Sequence, residues 1–206
     1  MMHYGILDEN RKKLLTLFDA FKNDFYLAGG TGLALQIGHR DSADFDFFTA
    51  RAFDTAKLSQ KVERIFSGYI LRKVQEEEGT LTYIVGDNAK LSFFHYPYQL
   101  LFSVVEEPFL KIASLADIAA MKIAAIVSRA TMKDYVDIYF LFNHFSFEDM
   151  LSFIRTKFPS LDENLIRKSM VYFDDVTEEK LVYKTETKLK WEEIKARIKK
   201  EVLGDQ

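Results

Sequence analysis

The chain has 206 residues, enough for one larger domain or two small ones packed together, and nineteen Phe with ten Tyr supply a core that excludes intrinsic disorder. A net charge of −3 gives no global basic field toward nucleic acid or anionic membrane, and with no cysteine there is no disulfide, thiolate metal site or thiol nucleophile. No basic-then-apolar leader opens the chain, and no apolar run reaches the roughly 18 residues of a membrane span, so a soluble, cytoplasmic protein without membrane contact is expected.

Residues 8–22 read as a helix, with Asp8 as N-cap and Leu14, Phe18 and Phe21 on one face. Residues 25–28 are a short apolar run into Gly29-Gly30, the pattern of a strand entering a tight turn. Residues 31–37 follow as a short helix closed by Gly38. Residues 44–48 alternate acid and aromatic, the period of a strand. A helix near 54–67 precedes three strand-like stretches at 69–75, 80–86 and 90–95, with turns at Glu76-Glu77-Glu78-Gly79 and Gly86-Asp87-Asn88. Beyond Pro108 the pattern becomes helical. Ser114 with Asp117, and Thr131 with Asp134, are capping-box signatures before helices at 115–129 and 132–143. Further helices are expected near 147–157, 162–169 and 191–202. The expected fold class is α/β (α+β), an α/β core over residues 1–108 and a mostly helical region over 109–206 that completes the active site.

Chemistry concentrates in Asp44-Phe45-Asp46. Residues two apart on a strand share a face, so both carboxylates project together while Phe45 and Phe47 point into a core. Two such carboxylates repel unless a cation lies between them, and oxygen ligands suit Mg²⁺. A solvated strand edge is the plain alternative. Gly29 and Gly30, between a strand and a helix, leave backbone N–H groups open to an anion, and Thr31 adds a hydroxyl. Either feature alone is ambiguous; together they describe a phosphate cradle beside a metal-binding acid pair.

Lys122 has Ile118, Ala119, Ala125 and Ile126 as helical neighbours, so it stands in an apolar stripe and either snorkels to an edge or meets an anion. Asp134 is explained by capping with Thr131. Asp137 has only Lys133 as a local partner and sits beside Phe140 and Leu141, which favours a functional role for it. Arg40 either contacts phosphate or pairs with Asp41 or another acid. His39 bonds backbone or substrate, and His3, His95 and His144 show no zinc-ligand spacing. The aromatic run at 93–98 could stack a base but reads first as core, and the lysine-rich helix near 191–202 reads as a solvated face, with a basic RNA-contact patch as the lesser alternative.

The stretch from Leu27 to Phe48 resembles the first motif of the DNA polymerase β nucleotidyltransferase superfamily, a Gly-[Gly/Ser] turn followed by an Asp-x-Asp strand. Gly29-Gly30-Thr31, His39-Arg40 and Asp44-Phe45-Asp46-Phe47-Phe48 resemble more closely the AbiEii-type abortive-infection toxins, the toxin halves of bacterial toxin–antitoxin systems. The resemblance continues through Met121-Lys122, Arg129 and Lys133-Asp134-Tyr135-Val136-Asp137, and so spans most of residues 25–142. It implies a polymerase β-like core in which Asp44 and Asp46 hold Mg²⁺ or Mn²⁺. It implies that Lys122 meets nucleotide phosphates and that Asp137 is the acid of the last motif.

The activity so implied is nucleotide transfer from a nucleoside triphosphate to RNA such as tRNA, or to a protein, with a cognate antitoxin as partner. Gly29, Gly30, Thr31, Arg40 and Lys122 are the expected nucleotide-binding residues; Asp44, Asp46, Lys122 and Asp137 the catalytic ones. Two departures stand out. Ser92 occupies the place of a third carboxylate, so that either Asp137 compensates, catalysis is slow, or nucleotide is bound without being transferred, and Gly30 replaces a common Ser. The rival readings are a catalytically silent nucleotide-binding or protein-interaction module, and a small-molecule nucleotidyltransferase of the antibiotic-modifying kind.

Overall fold

Phenylalanines at alternate positions decide which face of the central strand is buried. In β2 (Phe45–Thr49), Phe45 and Phe47 are buried on one face, while Asp46 and Phe48 turn to the other and are only half-buried. The computed structural model describes residues 2–177, 179–184 and 189–204. The other strands are β1 (Tyr26–Ala28), β3 (Leu71–Glu77), β4 (Thr80–Val85), β5 (Ala89–His95), β6 (Val105–Glu106) and β7 (Lys111–Ile112). With β2 they form one seven-stranded mixed sheet in the order β3–β4–β5–β2–β1–β7–β6. The sheet therefore continues past residue 108, because β7 pairs in parallel with β1.

Helices cover both faces. On the Phe45/Phe47 face lie α1 (Glu9–Leu14), the 3-10 turn Leu15–Phe21 and α3 (Thr55–Ile65), packed with Leu91 and Phe93 of β5. The ring of Phe18 meets those of Phe45 and Phe47 edge-on, at 4.7 and 5.1 Å between centroids. Each such buried Phe contributes about 1.5–3 kcal/mol by burial alone. On the Asp46/Phe48 face lie α2 (Gly29–Ile37), α4 (Leu115–Arg129), α5 (Met132–Leu141), α6 (Phe147–Lys157), α7 (Glu163–Val171) and α8 (Trp191–Leu203). In α8 the residues turned inward are Ile194, Ile198 and Val202. Among the described residues no helix is long and apolar enough to cross a membrane.

Four local differences from the sequence reading have physical causes. The helix expected over 8–22 is α-helical only to Leu14 and then tightens to 3-10. Three residues per turn put Leu15, Phe18 and Phe21 in one line, and all three are buried. Gly29 and Gly30 form the first turn of α2 rather than a turn before it. The β3–β4 turn shortens to Glu78-Gly79, with Gly79 at φ +72°. Thr131 makes no side-chain cap to the backbone; its hydroxyl donates to the Asp134 carboxylate instead, at 2.6 Å.

Candidate active site

The antiparallel β1–β2 register sets Ala28 opposite Asp46, and α2 begins at the next residue of the chain. The helix start therefore abuts the acid. Gly29 has φ +65°, and a Cβ added to it would lie 2.9 Å from Asp46 Oδ2, so glycine is required twice over. The unsatisfied N–H groups of that first turn put positive potential beside Asp46. Asp44 immediately precedes β2. The Thr31 hydroxyl donates to the Asp44 backbone carbonyl and hydrogen-bonds with the Ser42 hydroxyl at 2.8 Å. Thr31 is buried, so the hydroxyl expected to meet phosphate instead fixes the acid's backbone.

A second tie holds the strand ends. Arg11 of α1 donates through Nε to the carbonyl of Ala43 (3.1 Å) and through Nη2 to the Asn88 side chain (2.9 Å). The starts of β2 and β5 are thereby stapled together.

Neither the Asp44 nor the Asp46 carboxylate has a hydrogen-bond or ion-pair partner among the described residues. Burial, then the charge of Asp44, pushes the Asp46 carboxyl above the ordinary carboxylate value, while Lys90, Lys122 and Arg129 pull it the other way. Two carboxylates close enough to repel, with no partner among the described residues, form a donor set that a hard divalent cation would neutralise. Ser92 lies directly across from Asp46 in the parallel β2–β5 register. It is fully buried, its hydroxyl 3.3 Å from that of Thr82. Among the described residues no group of three or more His, Cys, Asp or Glu is arranged to hold a metal.

Behind the pair lies a buried network. Arg40 donates Nε to Asp137 Oδ1 (2.7 Å), Nη2 to Oδ2 (2.9 Å) and Nη1 to the Asp41 carbonyl (3.0 Å). Lys122 reaches Asp137 Oδ2 at 2.6 Å and Asp134 Oδ1 at 2.8 Å. His39 donates Nε2–H to Asp137 Oδ1 at 2.7 Å, the tautomer fixed by its carboxylate partner, and its buried Nδ1 has no partner. Burial would raise the Asp137 carboxyl, but Arg40 and Lys122 outweigh it and hold the group well below the usual range. Burial would lower Lys122 too, yet Asp137 and Asp134 leave it raised. His39 is held below its ordinary value by burial, against the pull of Asp137.

These contacts revise several expectations. Asp137 does not stand ready as a compensating base: both its oxygens are engaged and its charge is locked in place. Lys122 neither snorkels nor pairs locally; its anions are Asp134 and Asp137. Asp137 pairs with Arg40 and Lys122 in place of Lys133. Gly30 also acquires a reason. A Cβ there would fall 2.6 Å from Arg40 Nη2 and 3.2 Å from Ser42 Oγ, so the guanidinium fills the space a serine side chain would take. The run at 93–98 divides, with Phe93 in the core and Phe94 and Tyr96 against Phe48 at 5.2 and 5.4 Å. Sequence reasoning missed Arg11, whose only local sign is its place three residues after the cap Asp8.

A late segment closes the loop that carries Arg40. Asp41 N–H donates to the Val182 carbonyl (2.8 Å), Lys184 N–H to the His39 carbonyl (3.0 Å), and Arg40 bridges antiparallel to Tyr183. Lys184 Nζ adds an ion pair to Asp41 at 3.0 Å.

The chain is similar to known proteins in sequence and in fold. The family described as "Nucleotidyl transferase AbiEii toxin, Type IV TA system" matches residues 14–203. The uncharacterized protein aq_aa25 of Aquifex aeolicus (strain VF5) is 37% identical over 186 residues, covering 87% of this chain and 87% of the relative. JHP933 from Helicobacter pylori shares the fold at TM-score 0.50 and 19% identity, over 83% of this chain and 75% of that one. The antibiotic-resistance factor ANT(2'')-Ia does so at TM-score 0.52 and 14% identity, over 72% and 91%.

Proposed function

The chain belongs to the AbiEii nucleotidyltransferase toxin family of type IV toxin–antitoxin systems, and from that premise we propose that it transfers a nucleotide from a nucleoside triphosphate to an acceptor hydroxyl, on RNA such as tRNA or on a protein. The observation that carries this reading is the unpartnered Asp44/Asp46 pair set against the N-terminus of α2. In the reaction the acceptor oxygen bonds to the α-phosphorus, the bond to pyrophosphate breaks, and the hydroxyl proton leaves to solvent. Asp44 and Asp46 would hold Mg²⁺ or Mn²⁺, which would supply charge neutralisation for the triphosphate.

The chain's own groups do the rest. The N–H groups at Gly29, Gly30 and Thr31 donate to the phosphates at the helix end. Lys122, kept charged by Asp134 and Asp137, adds positive potential at Asp46. Arg40 and Asp137 are positioning residues: they lock the loop before Asp44 to α5. The buried Ser92 supplies no carboxylate on the far side of the pair, which favours a second reading, a nucleotide-binding module that acts through contact with an antitoxin. The antibiotic-modifying alternative has no specific observation in its favour.

Purified protein with Mg²⁺, each α-labelled nucleoside triphosphate and total cellular RNA separates the two. Label in RNA or protein that disappears in Asp46→Ala supports transfer. Binding of nucleotide without label from any of them supports the module.

A further inference from the structure

The two flanks of the acid pair differ in chemistry. On the β1 flank stands the first turn of α2, which abuts Asp46. On the β5 flank Ser92 faces Asp46, and Lys90, two residues earlier, shares that face. Phe45 pairs with Leu91, so Lys90 lies one register step back, beside Asp44. The Arg11 staple between Ala43 and Asn88 fixes that juxtaposition.

Lys90 is half-buried and has no hydrogen-bond or ion-pair partner among the described residues. The other cations of the site are all committed, Arg40 to Asp137, Lys122 to Asp134 and Asp137, and Arg129 to Asp134. The carboxylate that position 92 might have offered as counter-ion is a buried serine. The anions nearest its ammonium are Asp44 and Asp46, with which it has electrostatic attraction but no ion pair, and a cation bound to that acid pair would leave the ammonium to meet an incoming anion.

Which anion follows from the reaction. In phosphoryl transfer the attacking and leaving oxygens lie in line on opposite sides of phosphorus. With pyrophosphate leaving toward α2, the acceptor arrives over β5. We propose that Lys90 is an acceptor-binding residue, whose ammonium grips a backbone phosphate of a nucleic-acid acceptor next to the attacking hydroxyl. The inference rests on the transferase reading, from which the leaving-group flank is taken.

The test is binding, so it stands apart from turnover. Fluorescence anisotropy with a 5′-labelled single-stranded RNA oligonucleotide is measured over a salt series for wild type, Lys90→Gln and Lys90→Arg, alongside affinity for a fluorescent nucleoside triphosphate. Lys90→Gln is expected to weaken RNA binding roughly tenfold, the worth of one charge-assisted contact. It is also expected to flatten the slope of log K against log salt by about 0.7, one single-strand phosphate. Nucleotide affinity stays unchanged and Lys90→Arg restores most of the loss. Unchanged RNA affinity and slope in Lys90→Gln overturn the assignment, as does a loss confined to the nucleotide. Failure of the transferase reading shows separately, as nucleotide binding by the wild type with no label transferred from any nucleoside triphosphate.

Discussion

Arg40 meets Asp137 at two points, Nε to Oδ1 at 2.7 Å and Nη2 to Oδ2 at 2.9 Å, although 97 positions separate them in the chain. The planar fork of the guanidinium matches the carboxylate, so the contact fixes orientation as well as distance. It joins the loop before the acid pair to α5, and Lys122 from α4 closes the triangle on the same carboxylate. The geometry of Asp44 and Asp46 thus depends on a charge that touches neither of them.

Asp137→Asn leaves Arg40 and Lys122 buried without their shared anion. Breaking such a pair from one side costs about 3–5 kcal/mol. Urea denaturation should show the midpoint falling accordingly; a loss within experimental error would mean that the network does not hold the fold.

Asp46 carries the opposite sign. Its folded carboxyl titrates above the ordinary value, for burial and for the nearby Asp44. Its ionisation therefore costs stability, and that cost develops as pH rises from the unfolded value of about 3.9 through the folded one. Asp46→Asn is expected to raise Tm by about 2–4 °C in chelator for each kcal/mol relieved, while abolishing transfer. Mg²⁺ or Mn²⁺ should raise the wild-type Tm and leave the variant unmoved. Differential scanning fluorimetry with and without chelator reads both, and an equal response to cation in the two proteins would remove Asp46 as a ligand.

Gly30→Ala drives a methyl to 2.6 Å from Arg40 Nη2. Displacing the guanidinium should destabilise by about 1–3 kcal/mol, as overpacking does. Gly5→Ala, where nothing lies within 4 Å, is the matched control and should change nothing. Equal stability of the two variants would show that Arg40 yields freely and is not held by Asp137.

His39 predicts a pH dependence. Its folded value lies below the ordinary one, so the folded protein resists a proton that the unfolded chain accepts near pH 6.5. Stability is full above that pH and falls as pH drops below it. Acidification from pH 7 to 5 should lower the denaturation midpoint of wild type and do so much less in His39→Gln. Parallel curves would place the titrating group elsewhere.

Much of the site is legible from spacing alone. Asp44 and Asp46 on one face, the glycines before them and Lys122 in its apolar stripe are local facts, because strand and helix periods fix which side chains share a face. The partner of Lys122 is not local. Sequence offered Asp137 only Lys133, one helical turn away, whereas folding brings Lys122 and Arg40 to it from other elements. Thr31 shows the same limit: its hydroxyl is engaged by the loop at 42–44, a contact between elements that spacing does not reveal. The class of fold was readable from the change of period near Pro108, but the pairing of β7 with β1 across that point is a tertiary choice.

The backbone bridge between Arg40 and Tyr183 carries a temporal consequence. A chain growing on the ribosome makes its acid pair early, but the segment that clamps the Arg40 loop follows α7. Until residue 184 is made, the Asp41 N–H and His39 carbonyl have no such partner and the loop is held from one side only. Order of synthesis thus delays completion of the site, a useful postponement for an enzyme of a toxin family.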